Sequence, residues 1–368
     1  MHTRLSKISL SMETNLMPVP TLPGISAKTV ETPRLTTRVL FSGSDDGIPV
    51  LFLHGNASSA TFWEETMLAL PPGYRGIAPD QRGYGEADRD QKIDATRGLR
   101  DLSDDAVALL DTLGIQAAHV AGHSLGGAVI WQLMMDAPER ILTVTQVCPG
   151  SPYGFGGTKD LDGTMCYPDG AGSGGGTVNP SFTQAMADGD RSAENPQASP
   201  RVVMNAFYWK PPFVPAREED LLSSVLSEHV GEHEYPGDAV PSPNWPNVAP
   251  GVYGPANALS PLYNRDVSAL YEIAPKPPVL WVRGSDDQIV SDNSLFDLGT
   301  LGALGAVPGW PGADVYPSQP MVSQTRAVLD KYQAAGGSYR EVVMPETGHT
   351  PYIEKPDDFN KVFHAHLG

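Results

Sequence analysis

Apolar residues in this chain fall into short runs bounded by turn-forming residues, and between those runs they recur at three- and four-residue spacing. Arg38-Val39-Leu40-Phe41 and Pro49-Val50-Leu51-Phe52-Leu53 read as two neighbouring strands, with Gly43-Ser44-Asp45-Asp46-Gly47 as the turn between them. Further strands are expected over residues 74–79, 117–121, 141–148, 278–283 and 339–344. Leu99, Leu102, Ala106, Leu109, Leu110 and Leu113 keep to one face at helical spacing, and Gly114 follows as a C-cap. Helices are also expected over residues 60–69, 128–135 and 321–335, with a last one after Pro351-Tyr352-Ile353-Glu354-Lys355-Pro356. This alternation of strand and helix predicts an α/β fold: a mostly parallel central sheet flanked by helices and joined by right-handed crossovers.

Two stretches break the rhythm. Residues 149–275 hold a glycine tract, Gly170-Ala171-Gly172-Ser173-Gly174-Gly175-Gly176, several proline-rich segments, and isolated helices over 200–208 and 218–230. Ser199 before Pro200 is a favoured N-cap followed by a favoured first-turn proline. Aromatic residues are dense there, Tyr153, Phe207 and Trp209 among them. This region is read as a mainly helical and irregular cap inserted over the sheet. The division expected is an N-terminal arm (1–35), a core (36–148 and 276–368) and a cap (149–275). A second irregular stretch, 291–320, interrupts the returning core with a glycine-bearing surface loop. In the arm, Met12 is an alternative start to Met1.

Composition narrows the partners. Of 368 residues 43 are acidic and 25 basic, a formal charge of −18, which repels phosphate backbones and anionic lipid surfaces. Nucleic-acid and membrane partners are therefore not expected. No run approaches the ~20 apolar residues of a membrane span, and the first twelve residues lack the ~7-residue apolar core of a secretory signal, so a cytoplasmic location is the expectation. Cys148 and Cys166 are too few for a disulfide framework or a zinc site, although one bridge between them is open.

The chemistry gathers where the apolar run over 117–121 meets Gly122-His123-Ser124-Leu125-Gly126-Gly127 and the buried helix beyond it. A strand, a sharp turn and a helix push the apical side chain out over the sheet end, and the flanking glycines prevent clashes. Ser124 is thus placed as a nucleophile. With His54-Gly55-Asn56 at an early strand end, Asp80-Gln81-Arg82-Gly83-Tyr84-Gly85, and Gly284-Ser285-Asp286-Asp287, the chain resembles the α/β-hydrolase family over residues 36–148 and 276–366. The resemblance implies an oxyanion hole from the backbone N–H groups of Asn56 and Leu125. It selects Asp287, three residues after Gly284, as the acid, and His349, on the loop after the last strand, as the base. His54 and the Asp80 to Gly85 run read as structural.

What this implies is a serine hydrolase acting on a carboxylic ester of a small, largely apolar substrate through an acyl-enzyme on Ser124, without metal or organic cofactor. Trp63, Tyr153, Phe207 and Trp209 are the candidate substrate contacts. His54-Gly55-Asn56 also looks like the haloalkane dehalogenases. Those enzymes and epoxide hydrolases, however, carry Asp at the elbow, where their intermediate must be a cleavable ester. A lactonase and a C–C bond hydrolase acting on a diketone remain open with the same triad. From another class, so does a small-molecule receptor built on the hydrolase fold.

Overall fold

Eight strands form one sheet in the order β1-β2-β4-β3-β5-β6-β9-β10. They are β1 Ser26–Glu31, β2 Thr36–Gly43, β3 Ile48–Leu53, β4 Tyr74–Pro79, β5 Ala118–His123, β6 Ile141–Val147, β9 Val279–Gly284 and β10 Tyr339–Met344. A separate hairpin pairs β7 Ala239–Pro241 with β8 Val248–Pro250. The structure is a computed structural model that describes residues 19–264 and 266–368. Residues 1–18 of the expected arm, with the alternative start at Met12, lie outside the described residues.

Every pairing from β4 across to β10 is parallel, whereas β1 on β2 and β2 on β4 are antiparallel. This is the mostly parallel sheet that the strand-helix alternation predicts. The two-residue period of a strand sorts its side chains into two cores. Leu51 and Leu53 of β3 and Val279 and Trp281 of β9 face one core, while Val50, Phe52, Leu280 and Val282 face the other. The first core is closed by α2 Arg100–Thr112, α3 Leu125–Asp136 and α10 Met321–Ala334. The second is closed by α1 Glu64–Leu68, α11 Pro351–Glu354 and α12 Pro356–Leu367, together with α5 Pro200–Phe207 and α6 Glu218–Val225. Each large side chain wholly buried in this way contributes ~2 kcal/mol. The remaining helices are α4 Pro180–Ala187, α7 Pro255–Ala258, α8 Ala269–Glu272 and α9 Leu298–Ala303.

Between β6 and β9 no described residue joins the main sheet. Ser199 caps α5 as expected, its hydroxyl accepting from the Val202 N–H at 3.2 Å. The helix expected over 218–230 stops at Val225, because the chain beyond it turns to bond the loop after β4: Gly85 N–H donates to Ser227 O, and His229 N–H to Gly83 O.

Two further readings change. β2 and β3 follow one another in sequence but are not partners, since β4 lies between them. The arm expected to run to residue 35 is shortened, because residues 26–31 form the outermost strand in register with β2. Both cysteines are free. No helix among the described residues is long and apolar enough to cross a membrane.

Candidate functional site

At the end of β5 the chain turns through Ser124, whose φ of 54° and ψ of −113° lie outside the regions that non-glycine residues favour. Such a conformation costs ~1–3 kcal/mol and persists only where its surroundings impose it. Here Ser124 N–H donates to Val147 O on β6 at 3.0 Å, and Ser124 O accepts from the N–H groups of Ala128 and Gly150 at 3.0 and 3.1 Å. The glycine at 126 is required, since a Cβ there would lie 2.1 Å from the carbonyl oxygen of Leu53. From Ala118 to Met134 every residue is buried except Ser124. The strained turn thus presents one hydroxyl and little else.

Asp287 and His349 arrive from the loops after β9 and β10. Asp287 Oδ2 lies 2.8 Å from His349 Nδ1, and its Oδ1 accepts from the N–H groups of Ile289 and Val290 at 2.9 and 3.0 Å. An ionised carboxylate only accepts, so the pairing places the proton on Nδ1 and leaves Nε2 with its lone pair. Both side chains are buried. Asp286 points elsewhere: its carboxylate pairs with Lys210 at 3.1 Å and takes the Ser285 hydroxyl at 2.6 Å.

Cys148, just past β6 with a φ of 43°, completes this corner. Its sulfur, the Asp287 carboxylate and a ring nitrogen of His349 lie within 4.8 Å of one another, the one such mixed set among the described residues close enough to share an ion. Burial, reinforced by the charge of Asp287, pushes the thiol far up, so it stays protonated. An ion there would have to displace both that proton and the Asp287–His349 hydrogen bond.

Neighbours fix the His349 loop. The His123 ring, one residue before Ser124, donates from Nε2 to His349 O at 2.9 Å, while its Nδ1 faces the Tyr352 hydroxyl at 3.3 Å. Burial, then the nearby His349, drives the His123 ring far below the usual imidazole range, so it is neutral. The end of α5 clamps the same loop from above. Thr350 donates through its N–H and its hydroxyl to Tyr208 O, and a Cβ on Gly348 would strike the Trp209 backbone at 2.6 Å. Glu354 Oε2 accepts from the N–H groups of Gly348 and Lys210, tying the two segments together. Sequence analysis gives neither His123 nor Cys148 a role at the site. Their sole signal was adjacency, one to Ser124 and the other to the end of β6.

The segment after β3 lies against the elbow, where a Cβ on Gly55 would sit 3.1 Å from that of Ser124. His54 is structural, as expected. Its Nε2 accepts from Gln81 N–H at 3.0 Å and its Nδ1 donates to Gly55 O at 2.8 Å, while burial lowers its pKa. The loop after β4 is likewise structural, with Asp80 Oδ1 accepting from Ala60 N–H and Arg82 forked onto Asp105 at 2.7 and 2.8 Å. Asn56 is half-buried, its side-chain oxygen taking the Tyr84 hydroxyl at 2.8 Å. Leu125 opens α3, where backbone N–H groups have no partner within the helix.

Three of the four expected substrate contacts are packing residues. Trp63 is wholly buried and stacked on Tyr352 at 4.2 Å. Trp209 is 1% exposed, in the same core. Tyr153 belongs to the core on the opposite face of the sheet. Phe207 is half-buried, edge-on to Phe296 at 5.0 Å.

The model of the α/β-hydrolase fold family matches residues 48–170. The AB hydrolase superfamily protein YfhM of Bacillus subtilis (strain 168) is 37% identical over 121 residues, 33% of this chain and 42% of that protein. Epoxide hydrolase A of Mycobacterium tuberculosis is 37% identical over 117 residues, 31% of this chain and 36% of the relative. The chain therefore spans less than half the length of these curated relatives. Among solved structures, the 2-hydroxy-6-oxo-6-phenylhexa-2,4-dienoate hydrolase of Rhodococcus sp. strain RHA1 superposes with a TM-score of 0.57 at 16% identity, covering 93% of this chain and 98% of that one.

Proposed function

We propose, from the premise that this chain belongs to the α/β-hydrolase fold family, that it is a serine hydrolase cleaving carboxylic esters of small, largely apolar substrates. What supports this reading is a half-buried hydroxyl on a strained turn at the C-terminal end of β5, Ser124, with a buried acid–imidazole pair, Asp287 and His349, on the loops that follow β9 and β10 of the same sheet.

A serine hydroxyl is a poor nucleophile at neutral pH and needs a base. With Nδ1 committed to Asp287, His349 Nε2 is the nitrogen free to take the Ser124 proton as Oγ attacks the ester carbonyl. The charge that builds on the carbonyl oxygen is met by the N–H groups of Asn56 and Leu125, each such donor worth ~3 kcal/mol. His349 then passes its proton to the leaving alcohol, and a water activated by the same ring cleaves the acyl-enzyme. The relative named as an epoxide hydrolase suggests a different chemistry. A serine that opened an epoxide would be left with an ether, which water does not cleave, so Ser124 favours acyl transfer. Residues 149–275 act as the cap that selects the acyl group, with Phe207 at its wall, where it meets Phe296 of the 291–320 stretch.

A turnover panel of p-nitrophenyl esters of increasing acyl length, beside lactones and one vinylogous diketone, tests the reading. Ester turnover that climbs with acyl length is expected, up to roughly fourfold in kcat/KM per methylene from ~0.8 kcal/mol of buried apolar surface. Turnover of the diketone or the lactones alone would move the assignment to those classes.

A further inference from the structure

Behind the Asn56 loop lies a buried carboxyl that the mechanism does not use. Glu228 is 4% exposed, and neither of its carboxylate oxygens makes a hydrogen bond of regular geometry. The chain on either side is stitched to the loop after β4, with Ser227 O bound to Gly85 N–H at 3.0 Å and His229 N–H to Gly83 O at 2.9 Å. The side chain between them faces the Ala57 amide and the Tyr84 hydroxyl.

Three tyrosines, all buried, enclose the same loop. Tyr84 donates to Asn56 Oδ1 at 2.8 Å, Tyr208 donates to Ala57 O at 2.8 Å, and Tyr235 bonds the Asn56 side chain. Ala57 itself has a φ of 44°, a strained left-handed conformation that its surroundings must hold. The titratable groups that feel Glu228 are these three tyrosines, none of them a cation. Burial pushes the carboxyl well above its usual range, and each tyrosine likewise, so the cage is neutral. A neutral carboxyl offers an O–H to the Tyr84 oxygen and a carbonyl to the Ala57 N–H.

We propose that Glu228 is a positioning residue that holds the Asn56–Ala57 turn in the shape that aims the Asn56 amide at the reacting carbonyl. The inference rests on the ester-hydrolase reading above. Glu228 touches no substrate. It acts through Ala57 and, by way of Tyr84, through Asn56, and when it ionises a charge without a partner enters the cage and loosens the turn.

The test compares wild type, Glu228→Gln and Glu228→Leu, by kcat and KM on p-nitrophenyl acetate and by thermal melting, each from pH 6 to 10. Glu228→Leu lowers kcat on the order of a hundredfold with KM little changed, and Glu228→Gln, which keeps a donor and an acceptor, restores most of it. Wild-type kcat falls at alkaline pH, whereas that of Glu228→Gln stays level. Stability held by a carboxyl of raised folded pKa is complete below the ordinary carboxyl range and is lost as pH rises through the folded value. The melting temperature of wild type therefore falls with pH relative to that of Glu228→Gln. Superimposable kcat and melting profiles for these two proteins overturn the proposal, as does wild-type turnover in Glu228→Leu. Divergent melting in a wild type with no ester turnover would instead sink the hydrolase reading and leave the cage.

Discussion

Asp286 and Asp287 are chemically identical neighbours, and their surroundings alone separate them. Asp287 is buried against His349 and saturated by two backbone amides, whereas Asp286 faces solvent in an ion pair with Lys210. Asparagine at 287 would offer an amide N–H where His349 needs an acceptor and would so reverse the imidazole tautomer. Asp287→Asn is expected to lower kcat on the order of ten-thousand-fold, and Asp286→Asn less than tenfold. Equal losses in steady-state kinetics would count against the assigned acid. In the sequence, the resemblance to the hydrolase family favours Asp287, which stands where that family places its acid, three residues after Gly284. The partners that hold the pair, Cys148 and His123, are not legible there, because a thiol at a strand end and a histidine in a turn carry no sign of what they face.

At the scale of elements, Tyr208 and Trp209, which continue the chain from α5, form a brace rather than a wall. Tyr208 and Trp209 bind the His349 loop, and Trp209 fills the second core between Tyr208 and Phe213. Trp209→Ala is expected to cost ~3–5 kcal/mol of stability while leaving the acyl-length preference unchanged. Phe207→Ala, one residue earlier on the half-buried face, is expected to shift that preference with little loss of stability. Chemical denaturation with the ester panel separates the two, and a change of acyl preference in Trp209→Ala would contradict the brace. Sequence told that these aromatics are buried somewhere but not against what. The same reason hid β1. Its residues, Ser26 to Glu31, are almost all exposed and follow no in-out alternation, since an outermost strand is held by backbone pairing to β2. The inner strands and α2, by contrast, declare themselves through periodicity that burial on the sheet imposes.

For the whole molecule, stability should respond to acid through buried histidines. Burial lowers the pKa values of His54, His119 and His123, that of His119 to about 4. The unfolded chain takes up these protons near pH 6.5 and the folded one does not. Their contribution is therefore complete above pH 6.5 and is lost as pH falls from there toward the folded values. For His119 the window runs from 6.5 to about 4, on the order of 3 kcal/mol. His119→Gln is expected to flatten the decline of unfolding free energy over that window by about one proton. Urea denaturation at several pH values checks it, and an unchanged slope would mean that His119 charges in place.

The proposed chemistry begins at Ser124. The most direct measurement is steady-state ester turnover by purified wild type and Ser124→Ala, each also treated with a fluorophosphonate and weighed by mass spectrometry. Loss of turnover on the order of a million-fold is expected, with the wild type gaining one phosphonyl adduct on Ser124 and the variant none. Turnover within tenfold of wild type, or an adduct on another residue, would contradict it.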